Sequence, residues 1–193
     1  MLTREQFVTI MPHAVARIAR YVEHLNAAME EFEIAPPQRA AMWLANLAHE
    51  SGSLRYTREL ASGAAYEGRE DLGNTHAGDG MRFKGRGLMQ ITGRKNTALC
   101  SAALYGDERL LETPELLEEP KDATRSAAWF WRVGAGLNLS NRARNHGLKD
   151  GCDLNDSADA GDFLGTILAI NGGVNGKAER ESIYAVARKV LGI

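Results

Sequence analysis

The chain has 193 residues and a formal net charge of −2, which is length enough for one domain with a sizeable core and no general excess of cations for a nucleic-acid partner. No run of ~18 apolar residues occurs, so stable membrane insertion is not expected. Cys100 and Cys152 are too few for a disulfide framework, and no zinc-ligand spacing is visible.

Thr3 can cap a short opening helix, with Gln6 at the capping-box position and an end near Pro12. Val15, Ile18, Val22, Leu25, Met29 and Phe32 then mark one long amphipathic helix, closed by Ala35-Pro36-Pro37. Pro37 starts a helix whose apolar stripe is Ala40, Trp43, Leu44, Leu47 and Ala48. Glu50 lies three residues beyond Leu47, so it projects from that stripe and not from the solvated face. It also falls in the last turn, before Ser51-Gly52, where the helix dipole is negative. Burial and dipole both favour the protonated carboxylic acid there, the form a general acid needs. The competing reading is a frayed helix end carrying a solvated glutamate. His49-Glu50 does not open a zinc-protease motif, because position 53 is Ser53 and not histidine.

From Ser51 to about Gly93 the helical pattern stops, glycines punctuate the chain and Asp79-Gly80 reads as a turn. Leu88-Met89-Gln90-Ile91-Thr92 is the one strand-like run, one arm of a small hairpin. A non-helical stretch this long in a compact domain is usually functional. Helix resumes over Lys95–Leu104, and Thr113-Pro114 and Glu119-Pro120 bracket short turns. Asp122–Val133 is a buried helix whose Trp129, Phe130 and Trp131 read as core before sugar platform. Residues 134–156 form a loop or small lobe. Ala158–Ile170 and Lys177–Leu191 are two further helices, separated by Asn171-Gly172-Gly173. The expected fold is mainly α, with a glycine-rich loop and small β-hairpin insert forming a cleft.

Three separated blocks then carry a resemblance. They are Ala48-His49-Glu50-Ser51-Gly52 with Arg55-Tyr56-Thr57-Arg58-Glu59; Tyr66-Glu67-Gly68-Arg69 through Phe83-Lys84-Gly85-Arg86-Gly87-Leu88-Met89-Gln90-Ile91-Thr92-Gly93-Arg94-Lys95-Asn96; and Ile170-Asn171-Gly172-Gly173. In that order they resemble the glycoside hydrolase family 19 group, the chitinase-like enzymes that include many phage endolysins. The resemblance implies a lysozyme-like helical fold over residues 1–193, as a single catalytic domain with no separate wall-binding domain. It implies inverting cleavage of β-1,4-linked N-acetylhexosamine polymers without a cofactor. Glu50 resembles the general acid and Glu59 the base that activates water, while Thr92 stands at the family's water-holding hydroxyl. Gln90, Asn96 and Asn171 match polar positions lining the sugar cleft, and Tyr56 joins them as a substrate-binding candidate. Glu67, Glu70 and Asp71 are rival carboxylates for the role of Glu59. The segment between the two glutamates is shorter than in plant chitinases and the plant disulfides are absent, as in phage endolysins.

Chemistry at these positions agrees with the carry-over. Arg55 and Arg58 can keep Glu59 ionised while Glu50 stays protonated, which would separate the two roles. Without the family match, Glu59 reads as half of a surface ion pair. Arg82, Lys84, Arg86, Arg94 and Lys95 form a local cationic cluster. Peptidoglycan carries carboxylates and chitin carries none, so a cationic rim favours the bacterial wall. The expectation is therefore a peptidoglycan-cleaving endolysin, with chitinase and a non-catalytic sugar-binding module as the other readings. Met1-Leu2-Thr3-Arg4-Glu5-Gln6 lacks the plan of a secretory signal. A monomer held in the host bacterial cytoplasm until lysis follows, reaching the wall once a separate pore-forming protein opens the membrane.

Overall fold

The fold is organised around one helix that is buried along nearly its whole length. In the computed structural model, which describes residues 1–193, this is α3 (Pro37–Glu50), following α1 (Arg4–Ile10) and α2 (Val22–Glu31). Pro36 and Pro37 preset its entry, and no β-branched residue interrupts its sequence. Every residue from Ala40 to Ala48 is buried. After the cleft-forming segment come α4 (Asp79–Arg82), α5 (Arg94–Tyr105), α6 (Arg109–Glu112) and α7 (Pro120–Arg132). The chain closes with α8 (Asn141–His146), α9 (Leu154–Asp159), α10 (Phe163–Asn171) and α11 (Lys177–Leu191). α11 lies along α3, α9 and α10 cover α3 from another side, and α2 packs on α7. The opening capping box between Thr3 and Gln6 is formed on both sides.

Two predicted helices are broken. Only Val22–Glu31 of the 15–32 segment is α-helix, and Pro12–Ala14 and Ile18–Arg20 are single 3-10 turns. Ala14, Ile18 and Tyr21 reach the core while Val15 is exposed, so the buried face does not follow one continuous helical stripe. The 158–170 segment is split because Gly161 adopts a left-handed backbone (φ 74°) and Asp162 caps α10 by accepting from Gly165 N at 2.8 Å. The predicted hairpin is also absent as a sheet. Residues 57–59 meet 85–87 through one antiparallel bridge, Arg58 with Arg86, and Arg86 pairs in turn with Ile91. Leu88–Gln90 is a turn and not part of a strand, with Gln90 at φ 51°, and Ile91 is a lone bridge residue.

The 51–93 segment is ordered by carboxylates in place of regular hydrogen-bond ladders. Glu67 accepts from Gly78 N (2.7 Å) and Gly80 N (2.8 Å), so it is consumed as a loop clamp. Gly80 allows that approach, because a side chain there would lie 2.5 Å from Glu67 N. Asp79, predicted to lie in a turn, instead begins α4 and binds Arg94 through two contacts of 2.6 and 2.8 Å. The Arg94 guanidinium holds the buried Asp79 carboxyl down at about 2. Because the folded value lies below the ordinary 3.8, its stabilisation is full above about pH 4 and is lost as pH falls toward 2. Asp79→Asn is therefore expected to lower the melting temperature at pH 7 and to remove part of the acid destabilisation between pH 4 and 2. Parallel acid titrations of both proteins by circular dichroism check this, and coincident curves would refute it.

Candidate active site

Glu50 is the last residue of α3, and the chain turns sharply beyond it. Ser51 Oγ donates to Leu47 O at 2.6 Å and accepts from Leu54 N at 2.9 Å, while Gly52, Ser53 and Leu54 all have positive φ. This locked turn points the end of α3 at the start of α11. There Arg180, fully buried, donates from Nη2 to Glu50 Oε1 and from Nη1 to Asn46 Oδ1 at 2.7 Å. Asn46 is itself fixed in the core by bonds to Met42 O and Thr166 Oγ1. Alongside, His49 Nδ1 meets Glu179 Oε2 at 2.7 Å and its ring lies over Gly176, where any side chain would collide with it. The sequence reading placed Glu50 at the end of a buried face but put no cation beside it. The structure corrects this in two respects: the Glu50 side chain is 26% exposed, and a buried guanidinium is bonded to its Oε1.

Glu59 is half-buried on the bridge segment and its neighbours differ from those expected. Its Oε1 accepts from the Tyr66 hydroxyl (3.0 Å) and its Oε2 from Gly85 N (3.1 Å). Its own N–H donates to Gly85 O at 2.8 Å. Neither flanking arginine contacts it: Arg55 lies 5.1 Å over the Tyr56 ring, and Arg58 comes no nearer than 3.9 Å to Glu118. The Glu59 carboxyl is therefore held by two neutral donors, not by two cations. Burial first, and then Glu59 itself, raises the Tyr66 hydroxyl above its usual range, keeping it a donor. The rival carboxylates are otherwise placed. Glu67 clamps the loop, Glu70 is exposed, and Asp71 is exposed and paired with Arg69.

Gln90, Thr92 and Asn96 come together. They line a cavity of about 100 Å³ with Leu72, Ile91, Trp129, Phe130 and Gly134. It adjoins a larger cavity of about 360 Å³, which shares Leu72, Asn96, Phe130 and Gly134 and opens toward Arg69, Asn138 and Ile170. The left-handed backbone at Gln90 turns its side chain toward Gly85, next to Glu59; a side chain on Gly85 would meet Gln90 Oε1 at 2.7 Å and Glu59 Oε2 at 3.3 Å. Thr92 Oγ1 donates to Gln90 O at 2.8 Å, which leaves the hydroxyl lone pairs free to accept. Asn96 Nδ2 donates to Thr92 O at 2.9 Å. Of the helix aromatics, Trp131 is core, whereas half-buried Phe130 faces both cavities.

The other candidates stand apart. Tyr56 is 37% exposed, its ring packed on Gly52 beside the Glu50 turn. Asn171 is exposed and folds back on its own loop, accepting from Gly173 N at 2.7 Å and donating to Asn175 O at 2.9 Å; it is absent from the lining of both cavities. The cationic cluster is mostly spent within the fold. Arg86 is buried between Glu115 and Glu118, both at 2.9 Å. Arg82 donates to Leu111 O and Glu112 O, Lys84 to Ala61 O, and Arg94 binds Asp79. These side chains staple the loop and do not form a free cationic rim. Cys100 and Cys152 are both free thiols.

No family model matches the chain. A "Glycosyl hydrolase family 19 domain-containing protein" of Haemophilus influenzae is 25% identical over 215 residues, spanning 95% of this chain and 94% of that protein. Chitinase C from Streptomyces griseus HUT6037 superposes with a TM-score of 0.75 at 23% identity, over 98% of this chain and 76% of that one. A bacterial family 19 chitinase likewise gives a TM-score of 0.75 at 23% identity, over 99% of this chain and 95% of that one. The likeness to these structures is one of fold.

Proposed function

We propose that this chain is a glycosidase of the family 19 kind and cuts the β-1,4 bonds of bacterial peptidoglycan by inverting acid–base hydrolysis. The observation that carries the mechanism is a pair of carboxyls on separate elements, each oriented by its own fixed donors. Glu50 ends α3 against a buried cation, and Glu59 lies on the bridge segment held only by neutral donors. Inversion requires an acid and a base on opposite sides of the scissile bond, with room for a water. Glu50 fits the acid. Arg180 engages only Oε1, so Oε2 is left to face the glycosidic oxygen. Once the proton has left, the guanidinium stabilises the resulting carboxylate. Glu59 fits the base, because the Tyr66 hydroxyl and Gly85 amide fix its orientation without neutralising it. A non-catalytic sugar-binding module would have no use for either arrangement.

Thr92 is proposed to hold the attacking water, since its hydroxyl is committed as a donor to Gln90 O and can only accept from that water. Thr92→Val is expected to lower kcat while leaving KM nearly unchanged, because the lost contact is made in the transition state. Thr92→Ser should be milder. Steady-state kinetics on a soluble oligosaccharide test this, and an unchanged kcat in the valine variant would make Thr92 a structural turn residue.

Charge on the turn joining the two carboxyls supports peptidoglycan over chitin, now that Arg82, Lys84 and Arg86 are accounted for structurally. The cellular role that goes with this substrate is that of an endolysin, a monomer that waits in the bacterial cytoplasm for a separate pore-forming protein. A chitinase is the second reading, favoured by the names of the structural neighbours. Purified peptidoglycan and chitin oligomers, digested in parallel and analysed by mass, distinguish them. Cleavage of chitin alone would overturn the wall reading, and cleavage of neither would overturn the glycosidase mechanism assigned to these residues.

A further inference from the structure

We infer that Arg55 and Arg58 are specificity determinants that take the carboxylates of the acidic peptide stems on a peptidoglycan strand. The inference rests on the wall reading above and assigns residues to it. Most arginines near the cleft already have partners: Arg69 with Asp71, Arg86 with Glu115 and Glu118, Arg94 with Asp79, and Arg180 with Glu50. The 51–59 turn is the exception. Arg55 has no carboxylate within ion-pair distance and rests over the Tyr56 ring. The Arg58 side chain is 61% exposed, and its one carboxylate neighbour is Glu118 Oε2 at 3.9 Å. The other oxygen of Glu118 is already taken by Arg86 at 2.9 Å. Arg17 adds a further guanidinium at this turn, reaching Ser53 O and no carboxylate.

The one carboxylate within the turn, Glu59, points away to Tyr66 and Gly85. The turn that leads from the proposed acid to the proposed base therefore carries one guanidinium, Arg55, with no carboxylate partner and a second, Arg58, held only by a long and largely exposed ion pair to Glu118. A neutral N-acetylglucosamine strand offers nothing to either. A strand whose alternate sugars bear peptide stems brings carboxylates past the turn between Glu50 and Glu59, and a planar guanidinium fork is suited to bind them bidentately. The contact with the Tyr56 ring fixes the Arg55 guanidinium, so less ordering remains to be done on binding.

The experiment compares wild type with Arg55→Gln/Arg58→Gln on three substrates: peptide-bearing peptidoglycan, the same strands with their stem carboxylates amidated, and a neutral chitin oligomer. The double variant is expected to lose roughly tenfold in kcat/KM on peptide-bearing strands, the combined effect of two exposed ion pairs. It should match wild type on the other two. Wild-type preference for peptide-bearing strands should also shrink between ~0.01 M and ~0.15 M salt as the Debye length falls from ~30 Å to ~8 Å. Arg55→Lys/Arg58→Lys should fall between the two, keeping the charge without the fork. Equal cleavage of peptide-bearing and amidated strands by wild type would overturn the inference and leave the wall reading standing. So would an equal loss on all three substrates in a variant with an unchanged melting curve. Failure of wild type to cut either form of peptidoglycan would overturn the wall reading itself.

Discussion

Glu50→Gln is expected to fold, to bind glycan and to turn it over about 10²–10⁴-fold more slowly than wild type, the range that general acid catalysis contributes. The amide is the informative replacement because it removes only the acidic proton. Its carbonyl oxygen can still accept from Arg180 Nη2, so the contact between α3 and α11 survives in neutral form. Exchanging the charge-assisted bond for a neutral one leaves the buried Arg180 guanidinium without its counter-charge, so the melting temperature should also fall, by the equivalent of up to about 3 kcal/mol. Binding of an oligosaccharide, measured calorimetrically, should change little, since the proton acts only as the bond breaks. Wild-type turnover by a folded Glu50→Gln protein would remove Glu50 from the mechanism. Lost binding with intact folding would instead make Glu50 a sugar ligand.

What could be read from the sequence follows how local each determinant is. The capping box at Thr3 and Gln6 lies within a single turn, and α3, α7 and α11 each carry a stripe long enough to fix the period. The break in 158–170 was also written locally, as Gly161 followed by a capping Asp162, but the apolar run of Phe163, Leu164, Ile167 and Leu168 outweighed it. The strand reading of 88–92 failed for a different reason. An apolar run with a threonine looks extended, yet Gln90 adopts a left-handed backbone because its neighbours are pinned by distant partners. Arg86 bridges both Arg58 and Ile91 while its guanidinium is buried between Glu115 and Glu118, and none of those pairings leaves a mark in a local window.

The candidate site divides the same way. Glu50 was legible because it stands on a helical stripe, and Gln90, Thr92 and Asn96 meet in one cavity because they are close in sequence. Tyr66 was quoted within a motif but given no role, and its hydroxyl proves to hold Glu59. Arg180 was missed altogether, since 130 residues separate it from Glu50. A signal did exist. Arg180 falls on the same face of α11 as Ile183, Tyr184 and Ala187, and a charged residue on an apolar stripe implies a buried partner. The cationic cluster failed for the opposite reason: counting arginines along a loop does not reveal which carbonyls and carboxylates in α6 and the following turn already hold them.

Arg180→Met is expected to show the largest loss of stability, and a double-mutant cycle with Glu50→Gln identifies the cause. The Arg180 side chain is 1% exposed and that of Glu50 26%, so removing the guanidinium leaves Glu50 unpaired at the dipole-disfavoured end of α3. It also leaves Asn46 Oδ1 buried without its donor. Breaking a buried pair typically costs about 3–5 kcal/mol, and the partial exposure of Glu50 points to the lower end, about 3 kcal/mol. Turnover should fall through kcat more than KM, because a free Glu50 no longer presents Oε2 in one orientation. Adding Glu50→Gln removes the uncompensated charge, so the double variant should be more stable than Arg180→Met alone. Arg180→Lys should recover part of the stability and little of the turnover, since one ammonium cannot span Asn46 and Glu50 as the fork does. Urea denaturation of all four proteins measures the coupling. Strictly additive free energies would show that Arg180 and Glu50 do not act as a pair, and Arg180 would then be a core residue with no part in positioning the acid.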